Sequence, residues 1–420
     1  MDCKRFITKI SSRRQPSILR QWAQKFIATP NGITLANGMP NTETFPFEEI
    51  SVKYKDGSRV MLVGEELGWA LQYGPSQGYP PLIQKLKEFQ NYWSKPKYDN
   101  WDIVITNGSM DACNKVFEMT LELGDPMMLQ APAYNGTLNA LIPLLPEFLE
   151  IRQDKHGIIP DEISRICEKR LQDNKKMPKI LYVNPTGSNP TGIVMPESRK
   201  REVYALAQKY DFLIIEDDPY EFLHFLDKQP TTFLELDTEG RVLRLDSFSK
   251  ILSSGLRLGV VTAHKTFIER LIMHMDVTGI HAASLSQMLL YKLLSAWDME
   301  KLQQHFNGIQ KFYRERRDTM LASLEKHFTG LAEWNVPEGG MFVWIKLPGI
   351  EDVSELALRK SISQGIFIIP GHAFNCDSLR PDQHIRLSYS YATPEEIEKA
   401  IPILAKLIRE EMNMKNGASK

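Results

Sequence analysis

Short apolar segments alternating with helical ones run through the chain beyond residue 100, and that alternation limits the folds open to it. Residues 102–106, 127–130, 179–183, 212–216, 242–246 and 256–261 are short, almost continuously apolar and bounded by turn residues. Between them, residues 110–123 and Glu197–Tyr210 carry helical periodicity, with Ser109 placed as the N-cap of the first helix. Strands with no polar face must be covered on both sides, which calls for a mostly parallel sheet flanked by helices. A charged helix over about 298–327 leads to a second set of elements. Strands are expected at 341–347, 365–370 and 384–388, with helices at 353–364 and 394–412. The expected fold class is therefore α/β: a large domain with a mostly parallel central sheet, plus a smaller α+β domain.

Charge and composition remove several function classes. The 420 residues hold 51 basic and 52 acidic side chains, a net charge of −1, so nothing suggests a nucleic-acid partner. Four cysteines (Cys3, Cys113, Cys167 and Cys376) without Cys-x-x-Cys spacing argue against a disulfide framework and for a reducing compartment. The most apolar stretch, 140–151, is interrupted by Pro143 and Pro146, so no membrane span is expected. Residues 1–29 carry seven basic side chains against one acid, Asp2, with Ser11, Ser12 and Ser17 among them. This reads either as a mobile basic arm over the body or as a cleavable import segment. Cytoplasm and mitochondrial matrix both stay open.

In parallel sheets, ligands bind beyond the C-terminal strand ends. Those ends are followed here by Asn107-Gly-Ser109, residues 184–192, Asp217-Asp-Pro-Tyr220 and Ser247-Phe-Ser-Lys250. Lys250 stands among small hydroxyls and is followed by Arg257. Hydroxyls and a guanidinium can share one phosphate, and a lysine beside such an anchor suits an imine to a phosphate-bearing aldehyde. A solvated lysine in a serine-rich loop fits the same residues. Asp217 can pair with a pyridinium nitrogen and keep the ring an electron sink, and Tyr220 can bond a phenolic oxygen. Asp217 and Asp218 would otherwise serve as a helix cap; no His or Cys nearby suggests a metal. Asn-Pro-Thr-Gly occurs twice, at 184–187 and 189–192. One copy is expected to donate to a phenolate oxygen and the other to be plain turn geometry.

Asn189-Pro-Thr-Gly192, Asp217-x-x-Tyr220, Ser247-x-Ser-Lys250, Arg257 and Arg386 follow one another at intervals of 28, 33, 7 and 129 residues. In this order they resemble the class I aminotransferases, which use pyridoxal 5′-phosphate (PLP). Arg5-Phe-Ile-Thr8, Leu71-Gln-Tyr73, Lys115-Val-Phe-Glu-Met119 and Gly340-Met-Phe-Val-Trp344 resemble the kynurenine/α-aminoadipate branch, and the likeness covers nearly the whole chain. The resemblance implies that Lys250 carries the cofactor and moves the proton, that Asp217 pairs with the ring nitrogen, and that Asn189 and Tyr220 hold the ring oxygen. It further implies that Tyr134 stacks on the ring, and that Ser109, the Met110 amide, Ser247, Ser249 and Arg257 hold the phosphate. Tyr73 would reach the phosphate from the other subunit of a homodimer. Arg386 would grip the substrate carboxylate, with Gly38, Asn189 and Arg20 at the substrate mouth. The implied domains are an arm at 1–30, a large domain at 46–312, and a small domain from 31–45 and 313–420.

Arg386 lies between Ile385 and Leu387 and so faces away from them on a strand. The chain departs from the branch at Met110, where a polar residue is usual, at Asn37, where a second glycine is usual, and in the extra turn copy at 184–187. The expected reaction is transamination of an aromatic, kynurenine-like or aminoadipate-like amino acid, with 2-oxoglutarate or another oxo acid as acceptor. A cysteine-conjugate β-lyase would need the same residues. A PLP-binding transcription regulator would need a helix-turn-helix domain ahead of the fold, and the resemblance already begins at Arg5.

Overall fold

The computed structural model describes residues 1–27, 29–36 and 38–418. The chain forms two compact units, one of Met1–Leu123 with Phe233–Gln303, the other of Gly124–Thr232 with Gln304–Lys420. In the first unit the strand Gly259–His264 runs antiparallel between Trp101–Thr106 and Val242–Ser247. Val104, Leu243, Leu245 and Val261 are fully buried, which is why these segments read as unbroken apolar runs. A hairpin of Ile50–Lys53 and Arg59–Leu62 also belongs to this unit.

The second unit holds the parallel part of the α/β architecture. Pro126–Ala131 pairs in parallel with Glu147–Asp154 and Ile180–Val183, and Ile180–Val183 pairs in parallel with Leu213–Asp217. A smaller antiparallel sheet follows, ordered Glu333–Trp334, Phe342–Lys346, His384–Ser388, Ile369–Pro370. One face of that sheet, with Val343, Ile345, Ile385 and Leu387, packs into a cluster with Leu324, Phe328, Leu356, Leu404 and Ile408. The period-two alternation leaves Phe342, Trp344 and Arg386 on the other face.

Some local expectations move. The helix after the first strand is Ser109–Thr120 with Gly108, at φ +87°, in the cap position, so Ser109 opens the helix instead of capping it. The strand expected from 256 starts at Gly259, because Ser254–Leu256 is a 3₁₀ turn and Arg257 is left-handed at φ +54°. The strand expected at 365–370 shrinks to Ile369–Pro370. Among the described residues no helix is long and apolar enough to cross a membrane.

The basic N-terminal segment is docked rather than loose along its first fourteen residues. Phe6 is fully buried, and Thr8 exchanges bonds with the end of helix Ser109–Thr120: its N–H donates to Met119 O at 2.8 Å and its hydroxyl to Glu118 O at 2.9 Å. Arg270 donates to the carbonyls of Ser11 and Arg14, and Arg14 pairs with Glu118. Such packing gives the segment a measurable share of stability. Phe6→Ala should cost roughly 3–5 kcal/mol in denaturant unfolding; an unchanged midpoint would mean the segment does not dock in solution.

Candidate active site

Two adjacent strand ends in the second unit carry the acid side of the site. Leu213–Asp217 is buried along its length, so Asp217 arrives at the sheet edge only 5% exposed. A carboxylate there needs donors, since an unpaired buried charge is costly. Tyr182, on the neighbouring strand, donates its hydroxyl to Asp217 Oδ2 at 2.5 Å and accepts from Thr137 Oγ1 at 2.8 Å. Sequence reasoning missed Tyr182. Its signal was a phenol inside the aliphatic run Ile-Leu-Tyr-Val, where the hydroxyl has to find a partner.

Tyr220 lies three residues beyond Asp217 and is 4% exposed. Burial holds its phenol well above the usual tyrosine range, with Arg386 pulling the other way, so it stands as a neutral donor. Its ring meets Phe342 edge-on at 6.3 Å. Phe342 also lies beneath Arg386, whose guanidinium carbon is 4.0 Å from that ring and 5.0 Å from Phe374. Arg386 Nη1 donates to Asn189 Oδ1 at 2.9 Å, while Nε is buried with no hydrogen-bond partner among the described residues. Burial lowers the Arg386 pKa, and the nearby phenols of Tyr220 and Tyr134 oppose that shift. The unit thus brings together Tyr134, Asn189, Asp217, Tyr220 and Arg386, and adds Phe342 and Phe374, which sequence reasoning had not assigned to the site.

The two Asn-Pro-Thr-Gly copies differ in what their asparagines bond. Asn189 presents its carboxamide oxygen to Arg386, leaving Nδ2 to donate elsewhere. Asn184 spends both side-chain atoms inside the protein, on the Asn189 N–H and the Asp217 carbonyl.

The first unit gathers the basic and hydroxyl residues. The helix Ser109–Thr120 follows directly on the strand Trp101–Thr106, so its first amides, Ser109 and Met110 among them, open at a strand end. Arg257 lies against that turn and donates to Asn107 O at 3.4 Å, to Ser254 O at 3.2 Å and to Ser249 Oγ at 3.4 Å. Gly108, at φ +87°, has no Cβ to crowd Arg257 Nη2, which lies 2.3 Å from where one would stand. Ser247 Oγ accepts from the Ser249 N–H at 3.3 Å, and Lys250 follows, half-buried. A helix N-terminus, a guanidinium and hydroxyls at one turn suit a dianion.

Arg20 and Tyr73 also come together in this unit. Arg20 Nη2 donates to Gly74 O at 2.6 Å, and burial lowers its pKa against the pull of Asp276 and Tyr73. Tyr73 is 47% exposed and meets His281, unassigned from sequence, edge-on at 6.2 Å. Gly38 is exposed, with open space where a side chain would go, and Asn37 lies outside the described residues.

Comparison with known proteins identifies the family. The family model for aminotransferase class I and II matches residues 31–404. The chain is 41% identical to the mitochondrial kynurenine/alpha-aminoadipate aminotransferases of Bos taurus and Mus musculus, over 98% of its own length and 100% of theirs. Among solved structures, aminotransferase Aro8 from Candida albicans superposes with a TM-score of 0.89 at 26% identity, covering 98% of this chain and 99% of that one. The kynurenine aminotransferase of Pyrococcus horikoshii gives 0.79 at 30% identity, covering 98% of each chain. With the family model spanning most of its length and relatives of this identity along nearly all of it, the chain belongs to the class I and II aminotransferases and is a PLP-dependent enzyme.

Proposed function

We propose that this aminotransferase takes kynurenine, 2-aminoadipate or an aromatic amino acid as donor and 2-oxoglutarate or a similar 2-oxo acid as acceptor. The observation that carries the reading is Arg386, a guanidinium clamped between two phenyl rings with its Nε unpartnered, beside Asn189. A cation held this way fits a carboxylate, and flat rings around it fit an aromatic or extended side chain. The names of the 41%-identical relatives point to the same substrates.

The residues present fit PLP. The helix N-terminus at Ser109 and Met110, with Ser247, Ser249 and Arg257, supplies donors for its phosphate, Gly108 leaving the turn bare. Asp217 would face the ring nitrogen, Asn189 and Tyr220 the ring oxygen, and Tyr134 the ring face. Bound there, PLP supplies a conjugated electron sink for the substrate Cα. Lys250 Nζ would take the Cα proton and deliver it back one position along that system. Asp217 would pair with the ring nitrogen, and Tyr182 orients Asp217 by donating to its Oδ2. Arg386 sets the substrate's carboxylate in place, while Arg20 and Gly38 line its mouth.

In our reading Tyr73 meets the phosphate of a second copy in a homodimer; its exposure in the single chain supports this. The division into an arm at 1–30, a large domain at 46–312, and a small domain of 31–45 and 313–420 belongs to the same proposal. The small antiparallel sheet with its own apolar cluster supports it. For the compartment we propose mitochondrial matrix or cytoplasm, since the relatives are named as mitochondrial.

Three outcomes check this reading. Purified protein given PLP should absorb in the visible, and Lys250→Ala should abolish that band; a wild type that stays colourless overturns it. Arg386→Ala should lower kcat/KM for every amino acid by roughly 2–5 kcal/mol, whereas Arg20→Ala should weaken kynurenine and aminoadipate far more than leucine or methionine. A uniform small loss for Arg20, about 0–1 kcal/mol, would return it to a surface charge. Sedimentation should show a dimer, and mixing Lys250→Ala with an impaired Tyr73→Phe should restore some activity; a fully active monomer refutes the shared site.

A further inference from the structure

We infer that Asn184, in the first Asn-Pro-Thr-Gly copy, is a positioning residue that fixes the spacing between Asp217 and Asn189 and so tunes the protonation of bound PLP. The inference rests on the cofactor roles proposed above for those two residues. Asn184 is the first residue after the strand Ile180–Val183 and is 4% exposed. Its Nδ2 donates to the Asp217 carbonyl at 2.6 Å, and its Oδ1 accepts from the Asn189 N–H at 2.8 Å. Its own N–H donates to Gln130 Oε1 at 3.0 Å, and Gln130 Nε2 donates to Ser188 Oγ at 2.6 Å. One carboxamide therefore ties together the two residues that would meet opposite ends of the cofactor ring, and the end of a third strand anchors it.

Both bonds go to backbone groups, so they fix where the neighbouring side chains start rather than how those side chains rotate. Asn189 lies five residues away along a loop that Thr186 Oγ1 also ties to Asp218 Oδ2 at 3.0 Å, but Asn184 is what joins the Asn189 backbone to that of Asp217. A leucine at 184 has nearly the same shape yet leaves the Asp217 carbonyl and the Asn189 N–H without these partners. The expected consequence is specific. With Asn189 displaced, its Nδ2 donates less well to the ring oxygen, whose negative charge it stabilises. The group that shares a proton with that oxygen then becomes more basic.

The test uses PLP-loaded full-length protein and follows the visible band against pH. Asn184→Ala should move the midpoint upward by about half a unit or more, and lower kcat by roughly tenfold to a hundredfold with little change in KM. Asn184→Leu keeps nearly the same volume but loses both bonds, and should give a shift in the same direction; it decides the matter if the alanine variant does not fold. Phe328→Leu, in the buried cluster of the small sheet, serves as a control for lost stability and should leave the midpoint in place. Asn184 variants that melt earlier but titrate like wild type would overturn the inference. A wild type with no visible band would instead overturn the cofactor reading on which it rests.

Discussion

A carboxylate buried at the end of an apolar strand sets the terms for the second unit. Asp217 closes Leu213–Asp217, whose five residues are all buried, and a charge there is tolerable only if donors reach it. Tyr182 reaches it from the next strand and is itself fixed by Thr137, so the acid is held from one side by hydroxyls. Hydrogen bonds of this kind favour the ionised form, which is the form that can keep a pyridine ring protonated. The energetic problem of burying the acid and the chemical need for an anion are answered by the same side chains.

Arg386 poses the complementary problem. Among the described residues, the groups that meet it include two phenyl rings, two phenols and a carboxamide, none of them an anion. Aromatic faces stabilise a cation without neutralising it. The guanidinium is thereby oriented while retaining its charge for a ligand. A salt bridge at this position would have been stronger in the empty protein and useless for gripping a substrate that must enter and leave.

Much of this could be read from the sequence because strand ends announce themselves. Asp217, Tyr220 and Lys250 are polar residues at the margins of apolar runs and Arg386 interrupts one, and burial forces such residues to carry a reason. Tyr134 and Arg20, and the phosphate role of Ser109, came instead from the family likeness. Several features were illegible for physical reasons. An apolar run has the same composition in either direction, so the antiparallel course of Gly259–His264 leaves no mark. Ser109 looks like a cap until the left-handed Gly108 takes the place. Seven basic residues hide one buried ring, Phe6, which decides how the N-terminal segment packs. Phe374 reaches Arg386 through tertiary structure alone, with no sequence signal at all.

The duplicated turn shows most clearly where local sequence stops being informative. The copies share four residues, and each ends in a glycine at positive φ, +56° for Gly187 and +71° for Gly192. They differ in backbone, the Asn189–Pro190 peptide being cis, and in what they face. A Cβ on Gly187 would lie 2.2 Å from the Gly340 N, and one on Gly340 would lie 2.4 Å from the Gly187 O, so these two turns meet backbone to backbone. Gly340 leads within two residues to Phe342, the ring beneath Arg386. The first copy therefore links the strand ends around Asp217 to the start of the strand that supports Arg386, while the second hands its asparagine to Arg386 directly. The same four residues yield a brace in one place and a site residue in the other, because the partners each asparagine meets determine which polar atoms remain for a ligand.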